Sequence, residues 1–84
     1  MTTVELISKD QCHLCEEALE VLNRVLAEIP FDLQIRKLQE GDPEFELYRI
    51  RFPVVLIDGE FGFQYRVPEK PFRMMLRKKS DDAS

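Results

Sequence analysis

Cys12 and Cys15 are the two cysteines of the chain, separated only by His13 and Leu14. One turn of helix places side chains at that spacing on the same face, so the two sulfurs can come within bonding distance. Such a pair can exchange disulfides: one thiolate attacks a partner disulfide and the second thiol resolves the mixed disulfide that results. The pair could also supply two of the roughly four ligands that zinc takes, or be incidental, with one cysteine serving as a small core residue. His13 is the only histidine. It lies between the cysteines, where its ring would point away from an ion they shared. A zinc or iron–sulfur reading therefore calls for a second copy, in a metal-bridged dimer. Beside a thiolate, His13 can donate a hydrogen bond or partial positive charge. It can equally be a solvated side chain, as can Lys9, which could place positive charge near Cys12.

The neighbouring elements decide among these options. "VELIS", Val4 to Ser8, reads as a short strand. From Leu14 the apolar residues Leu14, Cys15, Ala18, Val21, Leu22, Val25, Leu26 and Ile29 recur at steps of three and four, which lines one face of a helix closed by Pro30. Cys12 then lies at a helix start. Free N–H groups and the helix dipole there favour an anion, so a Cys12 thiolate is expected to have a lowered pKa. Cys15, one turn in on the apolar face, is expected to be more buried. A C-x-x-C at a strand-to-helix junction within a β-α-β unit points to dithiol redox chemistry.

Phe31 to Leu38 alternates, with Phe31, Leu33 and Ile35 expected on a buried face. Asp42 as N-cap and Pro43 at the first helical position predict a short helix to about Arg51, anchored by Phe45, Tyr48 and Ile50. Phe52-Pro53 breaks it. "VVLI" is a short apolar strand, Asp58-Gly59 a hairpin turn, and "EFGFQYRV" the returning strand with Phe61, Phe63, Tyr65 and Val67 on one face. A last helix starts near Pro68 and ends in "RKK", cations suited to a helix C-terminus. The order is β-α-β-α-β-β-α. A right-handed crossover makes the first two strands parallel, and a hairpin makes the last two antiparallel. The expected fold class is α/β, a four-stranded mixed sheet flanked by helices, forming one domain over 1–79 with a flexible tail at 80–84.

"VELISKDQCHLC" and "FPVVLIDGEF", with that element order, resemble the thioredoxin superfamily and within it the short glutaredoxin-like proteins. The resemblance covers about Val4 to Lys79. It implies a glutaredoxin-type fold, Cys12 as nucleophile, Cys15 as resolving thiol and Pro53 as a cis-proline facing them. It also implies that Lys9 sits near the thiolate or near a glutathione carboxylate. Lys9, His13, Phe52 and Pro53 are accordingly the candidate substrate-binding residues. The chain departs from the family in three places. His13-Leu14 replaces Pro-Tyr between the cysteines, and Arg51-Phe52 replaces Thr-Val before the proline. "RVPEKPF" stands where a Gly-Gly pair helps hold glutathione; two prolines remove backbone donors there and Glu69 would repel a carboxylate. No bound cofactor is expected, and glutathione is an option as reductant that these departures weigh against.

With 84 residues, 44% hydrophobic and 33% charged, the chain reads as a soluble globule and not as a disordered segment. No apolar run approaches the roughly 20 residues of a membrane helix, and no secretory signal is visible, which places it in the cytoplasm. Net charge is −4, and it is segregated: residues 1–48 carry a balance of −7 and residues 49–79 one of +5. Overall acidity argues against nucleic acid as partner. The expected partners are protein disulfides or a thiol reductant, met by a monomer. The resulting expectation is a thiol–disulfide oxidoreductase acting on protein disulfides or glutathionylated proteins. The alternatives are a non-catalytic thioredoxin-fold binding scaffold, docking through Phe61, Phe63, Tyr65 and "PFRMMLRKK", and the metal-bridged dimer.

Overall fold

The computed structural model describes residues 1–82, with side chains to Lys79. Seven elements follow one another: β1 (Thr3–Lys9), α1 (His13–Leu26), β2 (Asp32–Leu38), α2 (Pro43–Tyr48), β3 (Val54–Ile57), β4 (Glu60–Gln64) and α3 (Glu69–Asp82). The strands form one mixed sheet in the order β2-β1-β3-β4. β1 runs parallel to β2 and antiparallel to β3, and β3 pairs antiparallel with β4. The architecture is the α/β one that the sequence leads one to expect. Of the expected tail at 80–84, residues 83 and 84 lie outside the described residues, and α3 continues to Asp82.

β1 lies between two strands, and Val4, Leu6, Ile7 and Ser8 are all buried. Its side chains alternate between two packed layers. Val4 and Leu6 join Ala18, Leu22 and Val25 of α1 and Phe72 and Leu76 of α3 in the larger cluster. Phe72 is wholly buried, with its ring edge-on to Phe31 (centroids 5.6 Å) and Phe63 (6.2 Å). On the other layer, Ile7, Leu38, Phe45, Phe52 and Val54 gather around Cys15. Arg36 steers α2 onto that layer: its guanidinium reaches Glu44 of α2 at 2.6 Å and Glu5 of β1 at 3.3 Å, contacts that raise its pKa, the hydrogen bond to Glu44 most.

Three expectations about faces are corrected. Ile35 is 51% exposed, because β2 is an edge strand and only Leu33 of its inner face packs against the larger core. Ile50 is 79% exposed: α2 ends at Tyr48, short of the expected Arg51, and the turn that follows swings Ile50 outward. Phe61, Phe63, Tyr65 and Val67 do not share one face. Val55 pairs with Phe63 and Leu56 with Phe61, so Gly62 is an extra residue in a bulge, and a bulge reverses which side the following residues point to. Phe63 packs on the core while Phe61 is 60% exposed; β4 ends at Gln64, and Tyr65 takes a left-handed φ of 68°.

The hairpin turn behaves as read. Asp58 and Gly59 both have positive φ, 53° and 82°, the geometry that a two-residue turn between right-twisted strands needs. Asp58 Oδ1 also accepts the Thr3 N–H at 2.9 Å, and its second oxygen meets Lys79 Nζ at 3.1 Å. Its carboxyl pKa is lowered, first by the Thr3 hydrogen bond and then by Lys79. A carboxyl lowered in the folded state contributes stability above its unfolded value and loses it as pH falls through the folded one.

Two substitutions test these points. A Cβ at Gly62 would meet Ile57 Cδ1 at 3.0 Å and the Val55 carbonyl oxygen at 3.1 Å. Gly62→Ala should therefore lower stability by about 1–3 kcal/mol in urea unfolding. Asp58→Asn keeps a residue that tolerates left-handed angles and removes only the charge. Its deficit against the unsubstituted protein should be present near neutrality and vanish in acid, read from denaturant midpoints across pH.

Candidate functional site

β1 ends at Lys9, and the chain reaches α1 through Asp10 and Gln11. Gln11 has φ 53°, a left-handed conformation that costs a non-glycine residue about 1 kcal/mol. That turn delivers Cys12 as the N-cap of α1 in extended conformation. The Cys15 N–H donates to Cys12 Sγ at 3.2 Å, and the Glu16 N–H donates to the Cys12 carbonyl at 3.1 Å. The capping atom of the helix is thus the sulfur itself. Cys12 and Cys15 have Cα atoms 5.2 Å apart and sulfurs at disulfide distance. Cys15 is 5% exposed and Cys12 more open, the asymmetry expected of an outer and an inner thiol.

The sheet register brings the other candidates close. Ile7 pairs with Val54, so continuing antiparallel sets the Phe52-Pro53 pair level with the end of β1. Lys9 Nζ lies 5.6 Å over the Phe52 ring, an attraction of about 0.5–1 kcal/mol at such a site. Phe52 is buried in the cluster that holds Cys15 and borders Cys12, against Phe45 (centroids 5.4 Å) and Tyr48 (6.5 Å). The Phe52-Pro53 peptide is cis. Pro53 is fully buried, and its carbonyl accepts the Tyr65 N–H at 2.9 Å. The proline is tolerated because it precedes the β1–β3 ladder, which starts at Val54.

A cleft of about 370 Å³ brings together Lys9, Cys12, His13 and Phe52 with Leu14, Arg49, Ile50 and Tyr65. His13 is on its rim and turned outward: its Nε2 lies 3.3 Å from Glu17 and its Nδ1 4.0 Å from Glu16. Among the described residues, no group of three or more His, Cys, Asp or Glu side chains is placed to hold a metal ion. Sequence reasoning missed Gln11, Arg49, Ile50 and Tyr65 as cleft residues. Ile50 was expected in the core, although Arg49 and Arg51 on either side of it signalled an exposed turn. The start of α3, where "RVPEKPF" departs from the resemblance, is taken up by its own side chains. Glu69 meets Arg24 of α1 at 2.8 Å and Arg73 at 2.9 Å, and Arg73 also pairs with Glu28.

The glutaredoxin-like domain family matches residues 3–77. The chain belongs to that family. Among solved structures, this glutaredoxin-like chain is similar to a structural-genomics target protein from X. campestris, with TM-score 0.73 and 20% identity over 89% of this chain and 96% of the other. It is also similar to chloroplastic thioredoxin z, with TM-score 0.70 and 14% identity over 96% and 80%. Thioredoxin-2 of the malaria parasite gives TM-score 0.65 and 8% identity over 93% and 82%. At these identities the likeness is one of fold. The resemblance expected from "VELISKDQCHLC" and "FPVVLIDGEF" therefore holds, and with it the C-x-x-C pair at the head of α1.

The cap geometry yields a direct test. In reductant, Cys12→Ala removes the acceptor for the Cys15 N–H and should lower stability by about 1 kcal/mol, whereas Cys12→Ser keeps an acceptor and should not. Urea midpoints of the three reduced proteins check this.

Proposed function

We propose that this glutaredoxin-like chain is a thiol–disulfide oxidoreductase. Cys12 attacks a disulfide of a protein substrate or of a glutathionylated protein, and Cys15 resolves the mixed disulfide. The observation that carries the reading is the placement of the two sulfurs: one caps a helix start and opens on a cleft, and its partner lies buried one turn away at disulfide distance. A helix start favours the thiolate that attack requires. In the proposed complex, Lys9, Phe52 and His13 border the bound polypeptide, and Pro53 holds the Phe52 end of the cleft.

Protein disulfides are the preferred substrates in this reading. Where its relatives use glycines to hold glutathione, this chain has Pro68, Pro71 and a Glu69 already paired with Arg24 and Arg73. A thiol reductant returns the pair to its dithiol form, and the protein works in the cytoplasm as a monomer without a bound cofactor. No helix among the described residues is long and apolar enough to cross a membrane.

The test is mass spectrometry of the protein equilibrated across glutathione redox buffers. The dithiol reading expects a loss of two protons with a defined midpoint. Cys12→Ser should reduce turnover of a protein disulfide to background, and Cys15→Ser should accumulate the mixed disulfide. Two unchanged thiols in every buffer would overturn the reading. A stable single glutathione adduct would replace it with monothiol chemistry.

A further inference from the structure

Two clefts meet at Cys12, and they treat the cysteines differently. The cleft on the Phe52 side is lined by Cys12 and not by Cys15. The cleft toward β2, about 280 Å³, is lined by both sulfur-bearing residues together with Ser8, Lys9, Glu16, Ile35 and Lys37. A substrate lying on the Phe52 side therefore leaves the approach to Cys15 open from the β2 side.

Ser8 is the buried polar residue of the described core, at 5% exposure. It stands in register with Lys37 of β2, two residues beyond Leu6 and so on the strand face that α1 covers. Buried hydroxyls are ordinarily hydrogen-bonded. None of the side-chain hydrogen bonds among the described residues uses the Ser8 hydroxyl. Nor is any buried side-chain oxygen there sealed off without a partner. The hydroxyl therefore opens on the cleft that Ser8 and Cys15 both line, and with the sulfurs at disulfide distance it bonds to neither of them.

The geometry points to Ser8 as the positioning residue for the resolving step, donating a hydrogen bond to the Cys15 sulfur as it becomes the attacking thiolate. This rests on the dithiol reading above. In the mixed disulfide, Cys12 Sγ is bonded to a substrate sulfur and Cys15 carries a proton. Cys15 releases that proton to solvent through the cleft. Its sulfur attacks Cys12 Sγ; the Cys12–Cys15 bond forms and the Cys12–substrate bond breaks. The electron pair leaves on the substrate sulfur, which takes a proton from solvent. The substrate disulfide is then reduced by two electrons and the cysteine pair oxidised by two. Burial disfavours the charged form of Cys15, and a hydrogen bond to the anion offsets that cost. The charged groups lining the same cleft are Lys9, Glu16 and Lys37; Phe45 of α2, Phe52 and Val54 of β3 add only apolar surface around Cys15.

The reaction of the reduced protein with dithionitrobenzoate separates the two steps. Attack by Cys12 releases one thionitrobenzoate anion, and attack by Cys15 on the resulting mixed disulfide releases the second. Ser8→Ala should leave the first phase unchanged. It should slow the second by about tenfold or more, the loss that follows from one hydrogen bond to a charged group, and move the pH midpoint of that phase upward. Ser8→Thr, which keeps the hydroxyl, should restore both rate and midpoint. A second phase with unchanged rate and midpoint in Ser8→Ala overturns the assignment, and so do two phases slowed in parallel. If the unsubstituted protein itself releases no second anion, the dithiol reading fails and this inference falls with it.

Discussion

The register of β1 against its two neighbours is the constraint from which the site follows. β1 is buried on both faces, so it cannot slip by one residue without turning Val4 and Leu6 out of one layer and Ile7 out of the other. With that register held, the strand ends where Cys12 must begin α1, and its antiparallel pairing with β3 sets Phe52 and Pro53 level with Lys9. The parallel pairing with β2 sets Lys37 beside Ser8. Three parts of the chain far apart in sequence, the β1–α1 junction, Lys37 of β2 and the Phe52-Pro53 pair, therefore meet around two sulfurs because one strand has no freedom to move.

The cysteines are also part of the scaffold that they serve. Cys12 Sγ accepts the Cys15 N–H as the cap of α1, and Cys15 fills a place in the cluster with Ile7, Phe45 and Phe52. A residue that caps and a residue that packs already differ in exposure, and that difference separates an attacking thiol from a resolving one. Backbone conformation reinforces the arrangement. Gln11 and Tyr65 both hold left-handed φ values without being glycine, and both line the Phe52-side cleft. Such conformations persist where surrounding packing over-determines them, commonly at binding sites.

Lys9 and Arg49 both line the cleft beside Cys12, while Glu16 and Glu17 stand on the exposed face of the first turns of α1. Glu69 and Arg73 of α3 pair with Arg24 of α1 and with Glu28 in the turn after it. The Arg24–Glu69 pair is exposed and contributes at most about 1 kcal/mol, while Phe72, Leu76, Leu22 and Val25 pack beneath the two helices.

Element order, the crossover from β1 to β2, the helix start at the cysteines and the Asp58-Gly59 turn were all legible in the sequence, because each is encoded in residues close along the chain: a hydrophobic period, a cap or a turn residue. The C-x-x-C pair belongs to that class. The tertiary structure decided what depends on segments meeting. Gly62 becomes a bulge only because β3 lies against β4 in one register, and the bulge sends Phe61 and Phe63 to opposite sides. Ile35 and Ile50 are exposed because β2 is an edge and α2 stops at Tyr48; their apolar spacing carries no sign of either. Ser8 reads as an ordinary strand residue until α1 and β2 close a cleft over it. Local periodicity states which residues are to be buried together, and only packing between distant segments states which of them end up beside the sulfurs.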